Sequence, residues 1–466
     1  MEVNQKLADG GLFCLGIMTN THAKSVESHL IDAIRPYQSS RRVFVAYSGG
    51  VDSHVLLHLC AQQDWLKDKL TAVYVHHGLQ AIADHWAFHC QTTATSLDVA
   101  FKELRVDARP VNGQSPEEAA RNARYGALSS LLDDQDLLLV AQHREDQLET
   151  VLLQLFRGAG LRGLSGMPVV MPMGKGILLR PLLNVSKQDI EAYAVRHELD
   201  WVEDPTNQSA EFDRNFLRND VLPVLKKRWP ALDKTVSRAA AHCAEAQSVI
   251  RQEGDELLKK YLDIESQALS LVLWSCLERS RQALLLRTWF AFMGLKMPSQ
   301  RVIHQIIHEV IDAAETGKAE VFTQGYAIRR FRNHLYCFDA KCYHLPEIHD
   351  FEWSSQQACL DLSGYLKLQR IEDSSGIAID QWKNAKITVA FRRGGESIRL
   401  PGRKGRHSLK NLFQEAAIPP WERPIIPLVY LDGQLAAVAD RWISDEFYTV
   451  SPGNCFRIKF IKQTPD

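Results

Sequence analysis

The stretch Ser48-Gly49-Gly50-Val51-Asp52-Ser53 decides how the chain is read. It follows the apolar run Val43 to Tyr47 and precedes His54-Val55-Leu56-Leu57-His58-Leu59. An apolar run, a glycine turn and a helix-forming segment in that order predict a short buried strand, a tight turn and the first turns of a helix. In a doubly wound parallel sheet this is where an anion binds: glycines let backbone N–H groups come close, hydroxyls add donors, and the helix N-terminus carries partial positive charge. Ser48, Gly49, Gly50, Val51 and Ser53 are therefore the expected pyrophosphate cradle. No Gly-Lys-Ser/Thr follows, so the cradle is not a Walker loop. Asp52 stands near the phosphates instead, and a carboxylate there calls for a divalent cation carried in with the nucleotide.

Working outward, strands and helices alternate. Leu70 to Val75 reads as a second strand, Asp84 to Leu97 as a helix and Phe101 to Val106 as a third strand; a helix opens at Ser115-Pro116, Leu137 to Ala141 is a fourth strand, and Gln147 to Phe156 a further helix. That spacing predicts a parallel sheet with ligands at the strand C-terminal ends. Polar residues gather there: His76-His77-Gly78-Leu79 after the second strand, and Gln142-His143-Arg144-Glu145-Asp146 leading to Glu149 after the fourth. Arg121 and Arg124 share one helix face beside Tyr125. Gly158 to Gly163 satisfies G-x-G-x-x-G, but it follows a helix and no helical pattern follows it. It reads as a glycine-rich loop able to close over a nucleotide, not as a dinucleotide site.

The chain has 466 residues, too many for one ordinary domain, and 45% hydrophobic with 24% charged residues is a globular composition. A formal net charge of -1 means that any nucleic-acid surface must be a local patch. Nine cysteines without a C-x-x-C pair describe a reduced cytoplasmic protein with no disulfide framework or structural metal. Gly11 to Met18 makes a poor signal peptide, and no apolar run is long enough to cross a bilayer, so no membrane partner is expected. A homodimer is compatible with the sequence, which selects no oligomeric state.

Past residue 228 the pattern changes. Ala239 to Tyr261 and Arg281 to Met293 are amphipathic and helical, residues 341–380 carry little periodic signal, and Ile387 to Phe391, Leu428 to Leu431, Gln434 to Val438 and Cys455 to Ile461 read as strands around a helix at Ser408 to Glu415. Arg392, Arg393, Arg399, Arg403, Lys404, Arg406 and Lys410 share a glycine-punctuated stretch whose sequence counter-charge is Glu396. A flexible basic loop in a neutral protein favours a phosphate backbone as partner, with Arg403, Lys404 and Arg406 at its centre.

The Ser48 to Ser53 stretch resembles the PP-loop of ATP pyrophosphatases, which cleave ATP between the α- and β-phosphates. With HHGL at 76–79, EAAR-x-x-RY at 118–125, QH-x-x-DQ-x-ET at 142–150, RG-x-G-x-x-GLSGM at 157–167, RPLL at 180–183, DPTN at 204–207 and R-N-x-x-R at 214–218, the order is similar to the tRNA(Ile)-lysidine synthetase family. Ser408 to Gln414, Ile418 to Trp421 and Leu435 to Val438 resemble that family's C-terminal domain. The resemblance implies an α/β doubly wound PP-loop catalytic domain at 41–228 after an extension at 1–40. A helical domain at 229–340, a connector at 341–380 and a small α+β tRNA-binding domain at 381–466 would follow. It implies ligation of free L-lysine to C2 of the wobble cytidine of a tRNA(Ile) with a CAU anticodon, through an adenylated base, with ATP and Mg²⁺. Asp52 and Asp146 are the expected Mg²⁺ ligands, Arg121 and Arg124 the partners of the α-phosphate or the base, His143 a proton carrier, and Glu149 a candidate for the lysine ammonium. Two rivals stay open: a PP-loop thiolase forming 2-thiocytidine, which needs paired cysteines, and a non-catalytic ATP-sensing RNA-binding protein.

Overall fold

Strand β1 (Val43–Ala46) is the axis of a six-stranded sheet ordered β3-β2-β1-β4-β6-β5. It pairs in parallel with β2 (Leu70–His76), Val43 opposite Leu70, and with β4 (Leu137–Leu139), Val43 opposite Leu137. β3 (Ala100–Arg105) extends the sheet beyond β2, and β6 (Gly176–Leu179) beyond β4, while β5 (Val170–Met173) closes the edge antiparallel to β6. Side chains alternate along β1: Val43 and Val45 enter one apolar cluster, Phe44 and Ala46 another. Burial on both faces is why this strand is an unbroken apolar run.

The computed structural model describes residues 25–76, 83–107, 109, 116–203, 213–313, 320–323, 325–339, 350–363 and 366–462. The chain divides into two units, residues 1–250 and 251–466. In the first, the helices are α1 (Val26–Ile34), α2 (Val51–Ala61), α3 (Ala83–Ser96), α4 (Pro116–Leu131), α5 (Arg144–Phe156), the single turn α6 (Leu161–Leu164), α7 (Lys187–Arg196), α8 (Asp213–Phe216) and α9 (Leu222–Arg228). Helix α10 (Leu232–Tyr261) carries the chain through the division. The β3-β2-β1-β4 order places the segments after β1 and β4 on either side of the crevice where strand order reverses, the usual ligand position in such sheets.

The strand-turn-helix pattern expected around Ser48 to Ser53 is present. The hairpin β5–β6 is not among the sequence expectations; its turn, Gly174-Lys175, lies between Met173 and Gly176, with Gly174 at φ 57°. A one-turn helix, α6, begins inside the Gly158 to Gly163 motif, with Gly160 as its N-cap, where no helix was expected.

The second unit adds strands to the sequence reading. The span expected to be helical holds α11 (Arg279–Phe292) and α12 (Gln300–Gln305), but also an antiparallel sheet of β7 (Leu269–Ser270), β8 (Glu320–Thr323), β9 (Tyr326–Phe331) and β10 (His334–Asp339). Adjacent Arg329 and Arg330 break the apolar alternation of β9, which is why pattern reading passes over it. The connector supplies the short strands β11 (Phe351–Glu352) and β12 (Cys359–Asp361) and the longer β13 (Leu366–Ala378); β12 pairs with β13, while β11 and β13 pair with strands of the C-terminal domain. β13 loses alternation at a register shift between Asp373 and Ala378, where Gly376 has φ 156° and a Cβ would meet Phe456 O at 2.3 Å. The domain is completed by α13 (Ile379–Asn384), β14 (Ile387–Phe391), β15 (Ser397–Arg399), β16 (Arg406–Ser408), α14 (Leu409–Glu415), β17 (Pro427–Leu431), β18 (Gln434–Val438), β19 (Trp442–Ile443) and β20 (Tyr448–Lys462). Among the described residues no helix is long and apolar enough to cross a membrane.

Candidate active site

The turn after β1 is held by its own serines. Ser53 Oγ donates to Gly50 O at 2.9 Å and accepts from Ser48 N at 3.2 Å. Its proton being spent on Gly50, the 3.1 Å contact between the Ser48 and Ser53 hydroxyls has Ser48 as donor. Gly49 sits at φ 83°, and a Cβ there would lie 3.1 Å from Cys90 Sγ, so glycine is required twice over. Gly50 is the N-cap of α2, with Val51 and Asp52 in the first turn. Among the described residues no protein acceptor takes the backbone N–H of Gly49, Gly50 or Val51. The turn is thus a preformed set of donors at a helix N-terminus, the arrangement an anion needs.

Across the crevice, α5 begins at its N-cap His143, whose N–H donates to Asp146 Oδ2 at 3.0 Å. His143 is buried, with Nε2 3.7 Å from Asp52 Oδ2 and 3.4 Å from Asp146 Oδ2, and Nδ1 3.4 Å from Glu145 Oε2. Burial acts to lower its pKa, but Glu145, Asp146 and Asp52 outweigh burial and move it up. Burial likewise acts to raise the Glu145 pKa; the His143 imidazole, the Lys187 N–H and Lys226 prevail and bring it down to about 2. For Asp146 burial is again overcome, by His143 and Arg214 foremost, and its pKa is lowered.

These carboxylates all carry partners that come from elsewhere in the chain. Lys187 Nζ donates to both oxygens of Asp52, at 2.7 and 2.9 Å. Glu145 accepts from Lys187 N at 2.9 Å and from Lys226 Nζ at 3.2 Å. Glu149, fully buried, accepts from Arg214 Nε and Arg218 Nε, each at 2.7 Å, and from Arg218 Nη2 at 2.9 Å; the same two guanidinium groups reach Asp146 Oδ1 at 3.1 and 3.2 Å. Arg214 and Arg218, four residues apart, grip Glu149 together, and around Arg218 the helix widens into a π-turn over Leu217–Val221, shortly before Pro223. Proline cannot donate to the ladder, and π-turns are frequent at functional sites. Among the described residues, three of the four lone-pair positions on Glu149 are filled and one on Oε1 is left.

A cavity of about 380 Å³ opens among these groups, lined by Asp52, His143, Glu145, Glu149, Lys187, Arg218, Leu222, Pro223 and Lys226. That size and mixed charge suit a small zwitterion or part of a nucleotide. Asp52 and Asp146 flank one imidazole nitrogen. Carboxylate oxygens gathered in this way are the donor type that a hard divalent cation takes alongside phosphate oxygens and water. No group of three or more acidic, histidine or cysteine side chains placed for a metal occurs among the described residues.

The structure therefore brings Asp52, Asp146, His143 and Glu149 together beside the Ser48 to Ser53 turn. Arg121 and Arg124 do not line the cavity; their guanidinium carbons sit 4.9 and 5.6 Å from the centre of the Tyr125 ring, on the α4 side of the sheet edge. Beside them Arg180 is buried, donating to Gln142 Oε1 and to Pro168 O at 2.8 Å. His76 ends β2, whereas His77 to Leu79, Ser115 and the DPTN motif lie outside the described residues. Lys187, Lys226 and Glu145 carry no role in the sequence reading. Only the i, i+4 arginines of R-N-x-x-R gave a signal, since the pairing of Lys187 with Asp52 spans 135 positions.

In the C-terminal domain the basic loop is less cationic than its sequence suggests. Folding brings Asp350 to Arg393 at 2.7 Å, Asp445 to Arg399 at 3.4 Å and Glu415 to Arg403 at 2.9 Å, beside the local Arg392–Glu396 pair at 3.5 Å. Lys404, Arg406 and Lys410 are exposed and have no ion pair among the described residues. Glu396, the acid within the stretch, pairs with Arg392, and folding adds Asp350, Glu415 and Asp445 from outside it.

Known proteins place the chain. A PP-loop domain matches residues 19–225, the TilS substrate binding domain 269–336, and the TilS substrate C-terminal domain 387–460. The tRNA(Ile)-lysidine synthase of Methylococcus capsulatus is 41% identical over 86% of this chain and 92% of its own. That of Coxiella burnetii is 39% identical over 90% and 93%. A solved U34-tRNA thiolase from Methanococcus maripaludis is similar over 47% of this chain and 78% of its own, at 17% identity and a TM-score of 0.40. By its identity to these relatives over nearly its whole length, the chain belongs to the tRNA(Ile)-lysidine synthase family, ligases built on a PP-loop domain.

Proposed function

We propose that this enzyme uses ATP to join free L-lysine to C2 of the wobble cytidine, position 34, in a tRNA(Ile) with a CAU anticodon. The observation that carries this reading is the cavity at the β1/β4 crevice, where a preformed anion cradle adjoins a cluster of opposite charges sized for an amino acid.

Cytosine O2 is a poor leaving group, so the base is activated first. O2 attacks the α-phosphorus, the bond from that phosphorus to the β-phosphate oxygen breaks, and pyrophosphate departs. The amine of lysine, having lost a proton, then attacks C2, and the C2–O2 bond breaks to release AMP. Gly49, Gly50 and Val51 N–H groups hold the departing pyrophosphate, and their fixed orientation favours the first step. Asp52 and Asp146 would hold Mg²⁺, which neutralises charge on the phosphates. Arg121 and Arg124 offer cations on the α4 side for the α-phosphate or the base. His143, its pKa raised among three carboxylates, is placed to take the amine proton, and the remaining Glu149 Oε1 acceptor is placed for an ammonium group. Such chemistry on tRNA belongs in the cytoplasm.

The rival thiolase needs an activated thiolate. Cys60 and Cys90 are both buried, and burial pushes the Cys60 thiol up and the Cys90 thiol up to about 12, which argues against it. The decisive experiment incubates the protein with ATP, labelled lysine and bulk tRNA. Label in RNA, dependent on ATP and on the CAU-anticodon species, is expected. Nucleotide binding without transfer of label would favour a non-catalytic RNA-binding module.

A further inference from the structure

The charges of the cavity cancel one for one. Asp146 and Glu149 share Arg214 and Arg218, Glu145 has Lys226, and Asp52 has Lys187. Asp52 is the exception in kind. Every other carboxylate has two or more donors from separate residues, while Asp52 has the ammonium of one flexible side chain and, at 3.7 Å, the imidazole of His143. The Lys187 and Asp52 side chains are also 31% and 29% exposed, whereas the Glu149 side chain is 1% exposed. The stem of Lys187 is anchored, because its N–H is held by Glu145 Oε2 at 2.9 Å and Ser186 caps the helix it begins. Only its four-carbon arm is free to swing, and a lysine ammonium is a compact point charge that exchanges partners readily.

We infer that Lys187 is a resident counter-cation on Asp52, which keeps a divalent ion off this carboxylate in the nucleotide-free protein and passes to the nucleotide phosphates when metal and ATP enter together. The inference rests on the proposed role of Asp52 as a metal ligand and adds an order of events. A free divalent cation would drive Lys187 off Asp52 toward Glu191, whose Oε1 is 4.0 Å from Nζ, or into water, and would gain no anion in exchange. A cation arriving on a triphosphate brings the anions that receive Lys187, so the exchange conserves charge. Lys187 is thereby a positioning residue, moving from the cation-binding carboxylate to the anion that the cation escorts.

The test uses the full-length protein and Mn²⁺, followed by loss of the free-ion electron paramagnetic resonance signal. Without nucleotide, the wild type should bind Mn²⁺ weakly, and adding a non-hydrolysable ATP analogue should create one tight site. Lys187→Met, and Lys187→Gln as a second neutral variant, should tighten nucleotide-free Mn²⁺ binding at least tenfold. The gain should vanish in Asp52→Asn/Lys187→Met, and Lys187→Arg should behave as wild type. One tight Mn²⁺ on the nucleotide-free wild type overturns the inference without any variant, as does unchanged affinity in the neutral variants or a gain that survives loss of Asp52. If no tight site forms even with the ATP analogue, it is the metal role of Asp52 that fails.

Discussion

At the scale of single residues, the site is a set of carboxylates whose roles are separated by their partners. Asp52 holds the exchangeable cation, so Asp52→Asn should abolish pyrophosphate release while the far-ultraviolet circular dichroism stays that of the wild type; normal release would remove its metal role. Glu149 holds two guanidinium groups from full burial. Glu149→Gln leaves both with Asp146 as their one shared carboxylate, and disrupting a buried charged cluster this way costs about 3 kcal/mol, to be read as a lowered urea midpoint with unchanged slope. His143 gives a pH signature. Its folded pKa is raised, so its protonated form contributes stability that is complete below the ordinary histidine range and is lost as pH rises through the raised value. The stability gap between wild type and His143→Gln should therefore narrow with rising pH, and a gap that widens would contradict the geometry. Glu145 acts oppositely: its contribution is whole above the ordinary carboxylate range and is lost as pH falls toward about 2. Asp52, Asp146 and His143 were legible in sequence because each sits just past a predicted strand. Their countercharges were not, since Lys187, Arg214 and Arg218 meet them only through the fold.

At the scale of elements, apolar runs ending in Ser/Gly or polar clusters were enough to place β1, β2, β4 and the helices that follow them. What local pattern could not supply was pairing. The β5–β6 hairpin hides in a methionine- and proline-bearing stretch, and the partner of β13 is far along the chain. The decoy glycines also gain a physical role. Gln147 on α5 donates to Met167 O at 3.0 Å and accepts from Met167 N at 2.7 Å, fastening the end of the glycine-rich segment to the helix that carries Asp146. Gly166 stands at φ 63°, where a Cβ would lie 2.6 Å from Gln147 Oε1. Gln147→Leu removes both bonds and leaves two buried backbone groups unpaired, a cost of about 2 kcal/mol. Amide exchange at Met167 should accelerate far more than at Leu57 in the core, and equal acceleration would mean the contact is incidental.

At the scale of the whole molecule, net charge is near zero, and the basic loop is partly neutralised by acids brought to it in folding. Salt dependence of tRNA affinity should come from Lys404 and Arg406 more than from Arg403, which is committed to Glu415. Replacing Lys404 and Arg406 by alanine should reduce the slope of log affinity against log salt by about 1 to 2, and Arg403→Ala by less. An unchanged slope in the double variant would take the loop out of the RNA surface. The long pairing of β13 with β20 has a different kind of consequence. Leu366 lies opposite Lys462, roughly a hundred residues later, and contacts of such separation are slow to form. During synthesis β13 leaves the ribosome well before its partner, and for those seconds it presents an unpaired edge. A chain that stalls in translation before β20 is made would keep that edge open, which makes it a natural client for chaperones and proteases and ties the C-terminal domain's integrity to uninterrupted elongation.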